Sequence, residues 1–244
     1  MPATILEVKN LYKAFGGVKA VHDVSFHLDA GEILGLIGPN GSGKSTMVNL
    51  INGTYSPDAG DVLFEGRSIL KYSIGQRFHM GISRTFQTPK PFTGLSVFDS
   101  VYTVALQDHS YAEAKKRALE ILEMMDLADL CAVPCQKLPI EKRKWLDMAR
   151  ILVSKPKILM LDEVMAGLNP SEIEASVKLV RRVNETGISI IFIEHVMQAV
   201  VQLSHRIVVL NEGRYLCEGD PETVMNDARV IKAYLGEEYV HAAN

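Results

Sequence analysis

The sequence predicts an α/β protein with a parallel sheet, an antiparallel β part near the N-terminus and an inserted group of helices. Three observations predict this class. Short apolar runs, typical of strands buried on both faces, alternate with segments of helical periodicity. The first quarter also contains runs in which apolar and polar residues alternate, as they do in half-exposed antiparallel strands. From Gly94 to about Ser154 the pattern is almost wholly helical.

The predicted strands fall into two groups. Four short apolar runs are expected in the parallel sheet, and they are Ile33–Ile37, Ile158–Leu161, Ile188–Ile193 and Ile207–Leu210. Three alternating runs are expected in the antiparallel subdomain, and they are Ile5–Val8, Val24–Leu28 and Asp61–Phe64. A further turn at Asn211–Arg214 is typical of a hairpin between two short strands.

Helices are predicted between the strands, with Tyr111–Asp126 showing one apolar face opposite its charges. We expect a single domain over residues 1–244. Residues 1–87 and 155–220 form its α/β core, which includes the antiparallel subdomain. Prolines and a glycine near residue 90 open a helical subdomain over 88–154. Residues 221–244 are expected to form two short helices and a tail.

Composition and charge exclude several classes of protein. The chain has 244 residues, 26 Lys plus Arg and 29 Asp plus Glu, so its net charge is −3. A dedicated nucleic-acid binder would be basic, and none is expected as a partner. Three cysteines in a chain of this length fit a reducing compartment without a disulfide framework. With neither a secretory signal nor an apolar run long enough to span a membrane, we expect a cytoplasmic protein.

The strongest chemical signal is a match to the phosphate-binding pattern G-x-x-x-x-G-K-[ST]. Glycines allow successive backbone N–H groups to surround phosphates, and the helix start adds its dipole. Lys44 supplies a positive charge, and Ser45 can ligate Mg²⁺. A strand precedes the loop and a helix-capable stretch follows it, as the motif requires. The predicted nucleotide-binding residues are Gly38, Pro39, Asn40, Gly41, Ser42, Gly43, Lys44, Ser45 and Thr46.

Acidic residues close the second predicted strand of the parallel sheet. Asp162 and Glu163 directly follow Ile158–Leu161, which is typical of a Walker B strand. Asp162 is expected to hold Mg²⁺ through water, and Glu163 to polarise the attacking water. His195 follows another strand and should lie at the same sheet edge, within reach of the γ-phosphate. Gln87 precedes the helical insertion, and a glutamine in a loop says little by itself.

Together these motifs resemble the nucleotide-binding subunit of ABC transporters, over essentially the whole chain. The resemblance implies a RecA-like P-loop core, ATP and Mg²⁺ as cofactors, and ATP hydrolysis with Glu163 and His195 as catalytic residues. It also implies that Gln87 contacts the nucleotide and the metal, beside Ser45 and Asp162. Phe15 matches the aromatic position that stacks on adenine in that family, although a core role for its ring stays open.

Secondary motifs resemble a narrower group, the ATPases of branched-chain and hydrophobic amino-acid importers. They are Arg84–Gln87, Ala166–Asn169, Ile193–His195 and Val230–Glu237. The resemblance implies uptake of a small solute such as a branched-chain amino acid, amide, urea or organic acid. It implies a second ATPase subunit, two permease subunits and a periplasmic or extracellular substrate-binding protein. The chain would then lie on the inner face of the membrane, with residues 89–101 receiving the permease.

One motif departs from the family pattern. The signature L-S-G-G-Q, which caps the partner subunit's ATP, is replaced by Leu138-Pro139-Ile140-Glu141-Lys142. Pro139 removes a hydroxyl, and Glu141 brings a carboxylate towards a triphosphate, which is repulsive unless it is paired. We therefore expect a heterodimer with one dominant hydrolytic site. In the alternative, Lys142 and Arg143 replace the lost contacts.

Three other functions stay open at this stage. An exporter-type ATPase of the same subfamily, of the lipopolysaccharide-extraction type, shares a similar C-terminal sequence. A non-transport ABC ATPase of DNA repair or translation usually carries long insertions, for which 244 residues leave no room. A regulatory nucleotide-binding module without hydrolysis is disfavoured because Glu163 and His195 are both present.

Overall fold

The computed structural model describes residues 3–85, 92 and 94–235. The first elements are β1 (Thr4–Phe15), β2 (Val18–Asp29), β3 (Ile33–Ile37), α1 (Lys44–Asn52), β4 (Ala59–Phe64), β5 (Arg67–Ser68), α2 (Ile74–Met80) and β6 (Ile82–Arg84). Next come α3 (Val97–Ala105), α4 (Tyr111–Met124), two short 3₁₀ helices (Ala128–Leu130 and Cys135–Lys137) and α5 (Ile140–Leu152). The last are β7 (Ile158–Asp162), α6 (Pro170–Glu185), β8 (Ser189–Ile193), α7 (Met197–Leu203), β9 (Arg206–Asn211), β10 (Arg214–Gly219), α8 (Pro221–Met225) and α9 (Ala228–Leu235).

The described strands form two sheets. The larger sheet has the order β10-β9-β3-β8-β7-β6, and all its neighbours are parallel except β10 and β9. The smaller sheet has the order β2-β1-β4-β5 and is antiparallel throughout. Strands β3, β7 and β8 are buried at every residue, as strands covered on both faces must be. The predicted α/β class is therefore confirmed.

The four apolar runs are confirmed as strands of the larger sheet, with small shifts at their ends. Ile188 stays outside β8 because its carbonyl oxygen accepts a hydrogen bond from the Asn184 amide at 2.8 Å. The helix predicted to reach Asp126 ends at Met124, because Asp126 has left-handed backbone at φ 52°. Strand β6 was missed, since three residues are too few to show a period.

The antiparallel hairpin is much longer than predicted. Strands β1 and β2 contain 12 residues each and meet at Gly16 and Gly17, whose φ angles are 52° and 90°. The register shifts near Asn10 and Asp23, which have φ angles of 44° and 58° and are joined by a hydrogen bond of 2.9 Å. These irregularities break the alternation along both strands, so the sequence pattern ends before the strands do.

The described apolar residues form two cores, one on each face of the larger sheet. Along β3, Leu34 and Leu36 belong to the core that also contains the smaller sheet and α1. Ile33 and Ile37 belong to the core built with the helices from α3 to α7. Because β3, β7 and β8 are parallel, their carboxyl ends meet at one edge, where Asp162 pairs with Ile193. Within the described residues, no helix has both the length and the apolar character needed to cross a bilayer.

Candidate active site

The loop between β3 and α1 is closely fitted to its neighbours. Its backbone has φ 155° at Gly38, 79° at Gly41 and 100° at Gly43. A Cβ on Gly38 would stand 2.1 Å from the carbonyl oxygen of Leu210, and one on Gly43 would stand 2.4 Å from that of Ala20. These two positions therefore exclude any side chain. The left-handed turns allow the backbone N–H groups to form an anion-binding concavity.

Lys44, the first residue of α1, is buried within this loop. Its Nζ donates hydrogen bonds to the carbonyl oxygens of Gly38 at 2.8 Å and of Pro39 at 3.0 Å. Burial lowers the pKa of the Lys44 ammonium, and the carboxylates of Glu163 and Asp162 oppose that shift. An ammonium held against a loop of backbone N–H groups, at the start of a helix, fits the phosphates of a nucleotide.

Asp162 is the last residue of β7, and only 5% of it is exposed. Its Oδ2 lies 3.5 Å from the guanidinium of Arg84, at the end of the neighbouring strand β6. Burial raises the pKa of the Asp162 carboxyl, and the charges of Arg84 and Lys44 act in the opposite direction. Two cations therefore favour the ionised carboxylate that a metal ion requires.

Glu163 and His195 lie in direct contact although 32 residues separate them in the chain. Glu163 Oε1 is 3.0 Å from His195 Nε2. The backbone of Glu163 is left-handed at φ 52°, and its N–H donates to the carbonyl oxygen of Ile193 at 2.9 Å. This conformation is strained for a residue other than glycine, and such strain is often found at functional sites.

A groove of about 480 Å³ joins these parts into one site. The phosphate loop, the tip of the β1–β2 hairpin and the ends of the parallel strands all contribute to its walls. Asp162 is buried next to this groove. The lining residues are Val18, Lys19, Ala20, Asn40, Gly41, Ser42, Gly43, Lys44, Ser45, Thr46, Glu163, His195 and Glu212.

Phe15 lies at the tip of the hairpin and is 41% exposed. Its ring makes an edge-to-face contact with Tyr55 at 5.1 Å, and the Lys13 ammonium is 5.4 Å from its centroid. Phe15 pairs across the hairpin with Val18, which lines the groove. The alternative in which Phe15 is only a core residue is therefore wrong. Gln87 lies outside the described residues.

The altered signature begins helix α5. Pro139 is the residue before the helix, and Ile140, its first residue, is 54% exposed. The Arg143 guanidinium donates to the carbonyl oxygens of Leu138 at 2.8 Å and Gln136 at 2.6 Å. The Lys142 ammonium lies 3.8 Å from the centroid of the Trp145 ring. Both cations that could compensate for the altered signature are thus engaged within the subunit.

Two residues of this region were missed by sequence reasoning. Arg84 belongs to the motif Arg84–Gln87, and nothing in the sequence indicates that it pairs with Asp162. Glu194 was given no role, yet it is buried between Ile193 and His195, and burial raises the pKa of its carboxyl to about 7. The sequence signal for Glu194 is its place directly after the buried apolar strand β8, the same pattern that singles out the acidic residues at the end of β7.

The arrangement of a phosphate-binding loop, a strand-terminal aspartate and a following glutamate has counterparts in known proteins. The profile of the ABC transporter family matches residues 21–166, which include the phosphate loop, Asp162 and Glu163 but neither Phe15 nor His195. The chain belongs to the ABC transporter family. A second profile, of branched-chain amino acid ATP-binding cassette transporters, matches residues 216–240.

Relatives of this ABC transporter subunit match over nearly its full length. A high-affinity branched-chain amino acid transport ATP-binding protein of Escherichia coli (strain K12) is 35% identical over 97% of this chain and 100% of its own. The lipopolysaccharide export system ATP-binding protein of the same strain is 30% identical over 96% of this chain and 98% of its own. A solved ATP-binding cassette of an ABC transporter, in its ADP conformation, is 30% identical with a TM-score of 0.87, covering 96% and 100%. The chain is an ATP-hydrolysing subunit of an ABC transporter.

Proposed function

We propose that this subunit energises an importer of small solutes such as a branched-chain amino acid, amide, urea or organic acid. The observation that carries the hydrolytic part is the meeting of Lys44, Asp162, Glu163 and His195 at one sheet edge. The importer part is supported by the match of residues 216–240 and by the 35% identical transport protein.

The groove suits ATP and Mg²⁺. Lys44 and the backbone N–H groups of the loop bind the phosphates, while the exposed ring of Phe15 stacks on the adenine. Mg²⁺ takes oxygen ligands; the Ser45 hydroxyl at the helix start would supply one, and the Asp162 carboxylate would hold the ion through water. Gln87, which the family resemblance adds to this set, lies outside the described residues. The Asp162 carboxyl, buried at the end of β7 and 3.5 Å from the Arg84 guanidinium, is the observation that fits a divalent ion.

In hydrolysis, Glu163 accepts the proton of the attacking water. His195 holds the Glu163 carboxylate in place through the contact at 3.0 Å and presents its ring to the γ-phosphate. Lys44 stabilises the negative charge of the phosphates. Closure of the ATPase dimer around the nucleotide excludes water, and hydrolysis followed by release reopens it.

The test compares Glu163→Gln with Lys44→Ala in the assembled transporter. Glu163→Gln keeps ATP binding but loses turnover, because the amide cannot accept the proton. Lys44→Ala loses tight ATP binding, because the phosphates lose their main countercharge. Glu174→Gln, on the exposed face of α6, is the matched control and keeps both. Hydrolysis by Glu163→Gln at the wild-type rate would refute the assignment of the base.

An exporter role is the second candidate, because the lipopolysaccharide export protein is 30% identical. Transport direction distinguishes the two. In proteoliposomes, an importer moves solute only when a substrate-binding protein is added on the outer side. Export of a lipid-linked substrate without such a protein would replace the importer proposal.

The subunit is proposed to pair with a second, different ATPase. Our reason is the altered signature, in which Pro139 and Glu141 form a poor cap for the partner's ATP while Lys142 and Arg143 are engaged elsewhere. One composite site then combines this chain's catalytic residues with the partner's intact signature. The other site combines the partner's phosphate loop with Glu141 and turns over slowly.

The permease subunits are proposed to dock beside the helical subdomain, at the inner face of the membrane. A groove of about 260 Å³ lies between α2, β6 and the helices α3 and α5, with Phe78, Val104 and Ile151 among its apolar walls. It also contains Arg84, so a docked element would lie next to the partner of Asp162. Of the expected receiving segment 89–101, residues 89–91 and 93 lie outside the described residues. Purification of the subunit with its membrane and substrate-binding partners would identify the cargo.

A further inference from the structure

Glu194 links the two loops that carry the proposed catalytic residues. Only 1% of the residue is exposed. One carboxylate oxygen, Oε1, accepts the backbone N–H of Met165 at 2.6 Å, in the loop that follows Glu163. The other oxygen, Oε2, accepts the backbone N–H of His195 at 3.3 Å. A single buried side chain therefore fixes the backbone on both sides of the contact between Glu163 and His195.

Lys144 of helix α5 joins the same cluster. Its Nζ donates to the carbonyl oxygen of Ala166 at 2.6 Å, one residue beyond the amide that Glu194 holds. Burial lowers the pKa of the Lys144 ammonium, and the charges of Glu194 and Glu163 raise it. The helix that begins at the altered signature is thus tied to the loop 163–168 by one hydrogen bond and two favourable charges.

A space-filling role does not explain a carboxylate here. Burial raises the pKa of Glu194 to about 7, so its ionised form is disfavoured in this environment. An apolar residue of similar volume would avoid that cost, since replacing buried charges by apolar groups is often neutral or stabilising. What an apolar residue cannot do is accept the two N–H groups of Met165 and His195. The buried Glu194 carboxylate thus lies where the N–H groups of two loops need a hydrogen-bond acceptor.

We propose that Glu194 is a positioning residue for ATP hydrolysis, which clamps the loops 163–168 and 194–196 together and, with Lys144, to helix α5. This inference rests on the proposed roles of Glu163 and His195. It assigns Glu194 no contact with ATP, so its loss should change turnover and not nucleotide affinity.

The test measures steady-state ATP hydrolysis by the assembled transporter. Glu194→Ala leaves two buried N–H groups without their acceptor, and kcat should fall by about ten- to a hundredfold. The KM for ATP should stay within about threefold of wild type, because the phosphate loop is untouched. Glu194→Gln keeps one side-chain oxygen for the Met165 N–H but turns an NH₂ group towards the His195 N–H, so its kcat should lie between those of Glu194→Ala and the wild type. Glu174→Ala, on the exposed face of α6, is the control.

A second variant and a double mutant test the same role in case Glu194→Ala does not fold. Glu194→Asp retains the charge but shortens the reach, and it should also lower kcat at constant KM. Lys144→Met keeps the side-chain stem, and its effect should be less than additive with that of Glu194→Ala. Thermal unfolding of each variant identifies those that fold.

Three results would overturn the inference. They are a wild-type kcat in both Glu194→Ala and Glu194→Asp, equal losses in Glu194→Ala and Glu194→Gln, and a rise in KM that accounts for the whole loss. The activity of Glu163→Gln tests the proposed function independently of the role of Glu194. If Glu163→Gln is inactive while Glu194→Ala is fully active, only the positioning role is wrong.

Discussion

Phe15 carries an aromatic ring at the tip of the β1–β2 hairpin, across from Val18 in the wall of the groove. The ring is 41% exposed and makes an edge-to-face contact with Tyr55. Lys13 lies near it, with its ammonium also paired to Asp58 at 2.7 Å. The exposed ring is therefore available for stacking on a base.

We predict that Phe15→Ala weakens ATP binding by about ten- to a hundredfold. Stacking of an aromatic side chain on a base contributes ~1–3 kcal/mol, which corresponds to that range. Phe15→Tyr and Phe15→Trp should preserve affinity. Titration with a fluorescent ATP analogue measures the effect, and circular dichroism verifies the fold. Normal ATP binding by a folded Phe15→Ala protein would contradict the stacking role.

Glu194 also predicts a pH dependence of stability. Its pKa is raised from 4.5 to about 7 in the folded protein, chiefly by burial. Between these two values the folded protein holds a proton that the unfolded chain releases. The contribution of this group to stability therefore falls as pH rises from about 4.5 to 7. As pH rises through that window, the free energy of unfolding of Glu194→Gln should increase relative to that of the wild type by up to about 3 kcal/mol.

Urea unfolding at a series of pH values measures this difference. Glu174→Gln is the control, because Lys178 lowers the pKa of the exposed Glu174 carboxyl and no such gain is expected. A difference between Glu194→Gln and wild type that stays constant from pH 4.5 to 8 would contradict the raised pKa. The charges that face Glu194 are those of Lys144, from helix α5, and Glu163.

At the scale of elements, the phosphate loop is held by two hairpins. The β1–β2 hairpin brings Ala20 against Gly43, and the β9–β10 turn brings Gly213 against the loop. Gly213 donates its N–H to the carbonyl oxygen of Ser42 at 3.1 Å and accepts that of His22 at 2.6 Å. The loop is thus preorganised by elements distant in sequence, which lowers the entropy lost on binding phosphates.

We predict that Gly43→Ala destabilises the protein more than Gly41→Ala. Both glycines have left-handed backbone, which costs a residue with a Cβ about 1–2 kcal/mol. At Gly41 a Cβ would meet nothing within 4 Å, whereas at Gly43 it would stand 2.4 Å from the Ala20 oxygen. Denaturant unfolding without nucleotide compares the two. Equal losses would show that the hairpin adjusts without cost.

Local sequence chemistry accounts well for some elements. The run Asn169-Pro170-Ser171-Glu172 has the residue types of a capping box, and α6 begins with one: the Asn169 side chain accepts from the Glu172 N–H, and the Glu172 carboxylate accepts from the Asn169 N–H. The capping side chain and the N–H that it binds lie three residues apart, so the sequence alone is enough to predict the cap. Strand β6 and helix α2 contain three and seven residues, too few for a period to predict them.

At the scale of the whole molecule, the nucleotide groove and the altered signature are built by different elements of the chain. Lys44, Glu163 and His195 line the groove, whereas the exposed Ile140 and Glu141 begin α5 directly after Pro139. Lys144 is engaged with the loop after Glu163 and so cannot turn outwards without breaking its bond to Ala166. A homodimer would place this poor cap over both nucleotides.

We therefore predict unequal ATP sites in the assembled transporter. Glu163→Gln in this subunit should abolish most of the ATPase activity, while the matching change in the partner ATPase should be mild. Phosphate release by the two single variants measures the asymmetry. Equal losses would contradict it, and so would robust hydrolysis by this subunit alone as a homodimer.

The sequence by itself determined the phosphate loop, the four buried strands and the cap of α6, because each is encoded by neighbours within a few residues. The tertiary structure decided the contact of Glu163 with His195, the pairing of Arg84 with Asp162 and the bond from Met165 to Glu194. These pairs lie 29 to 78 residues apart in the chain. Periodicity and turn chemistry act locally, whereas strand order alone brings such distant residues to one edge of a sheet.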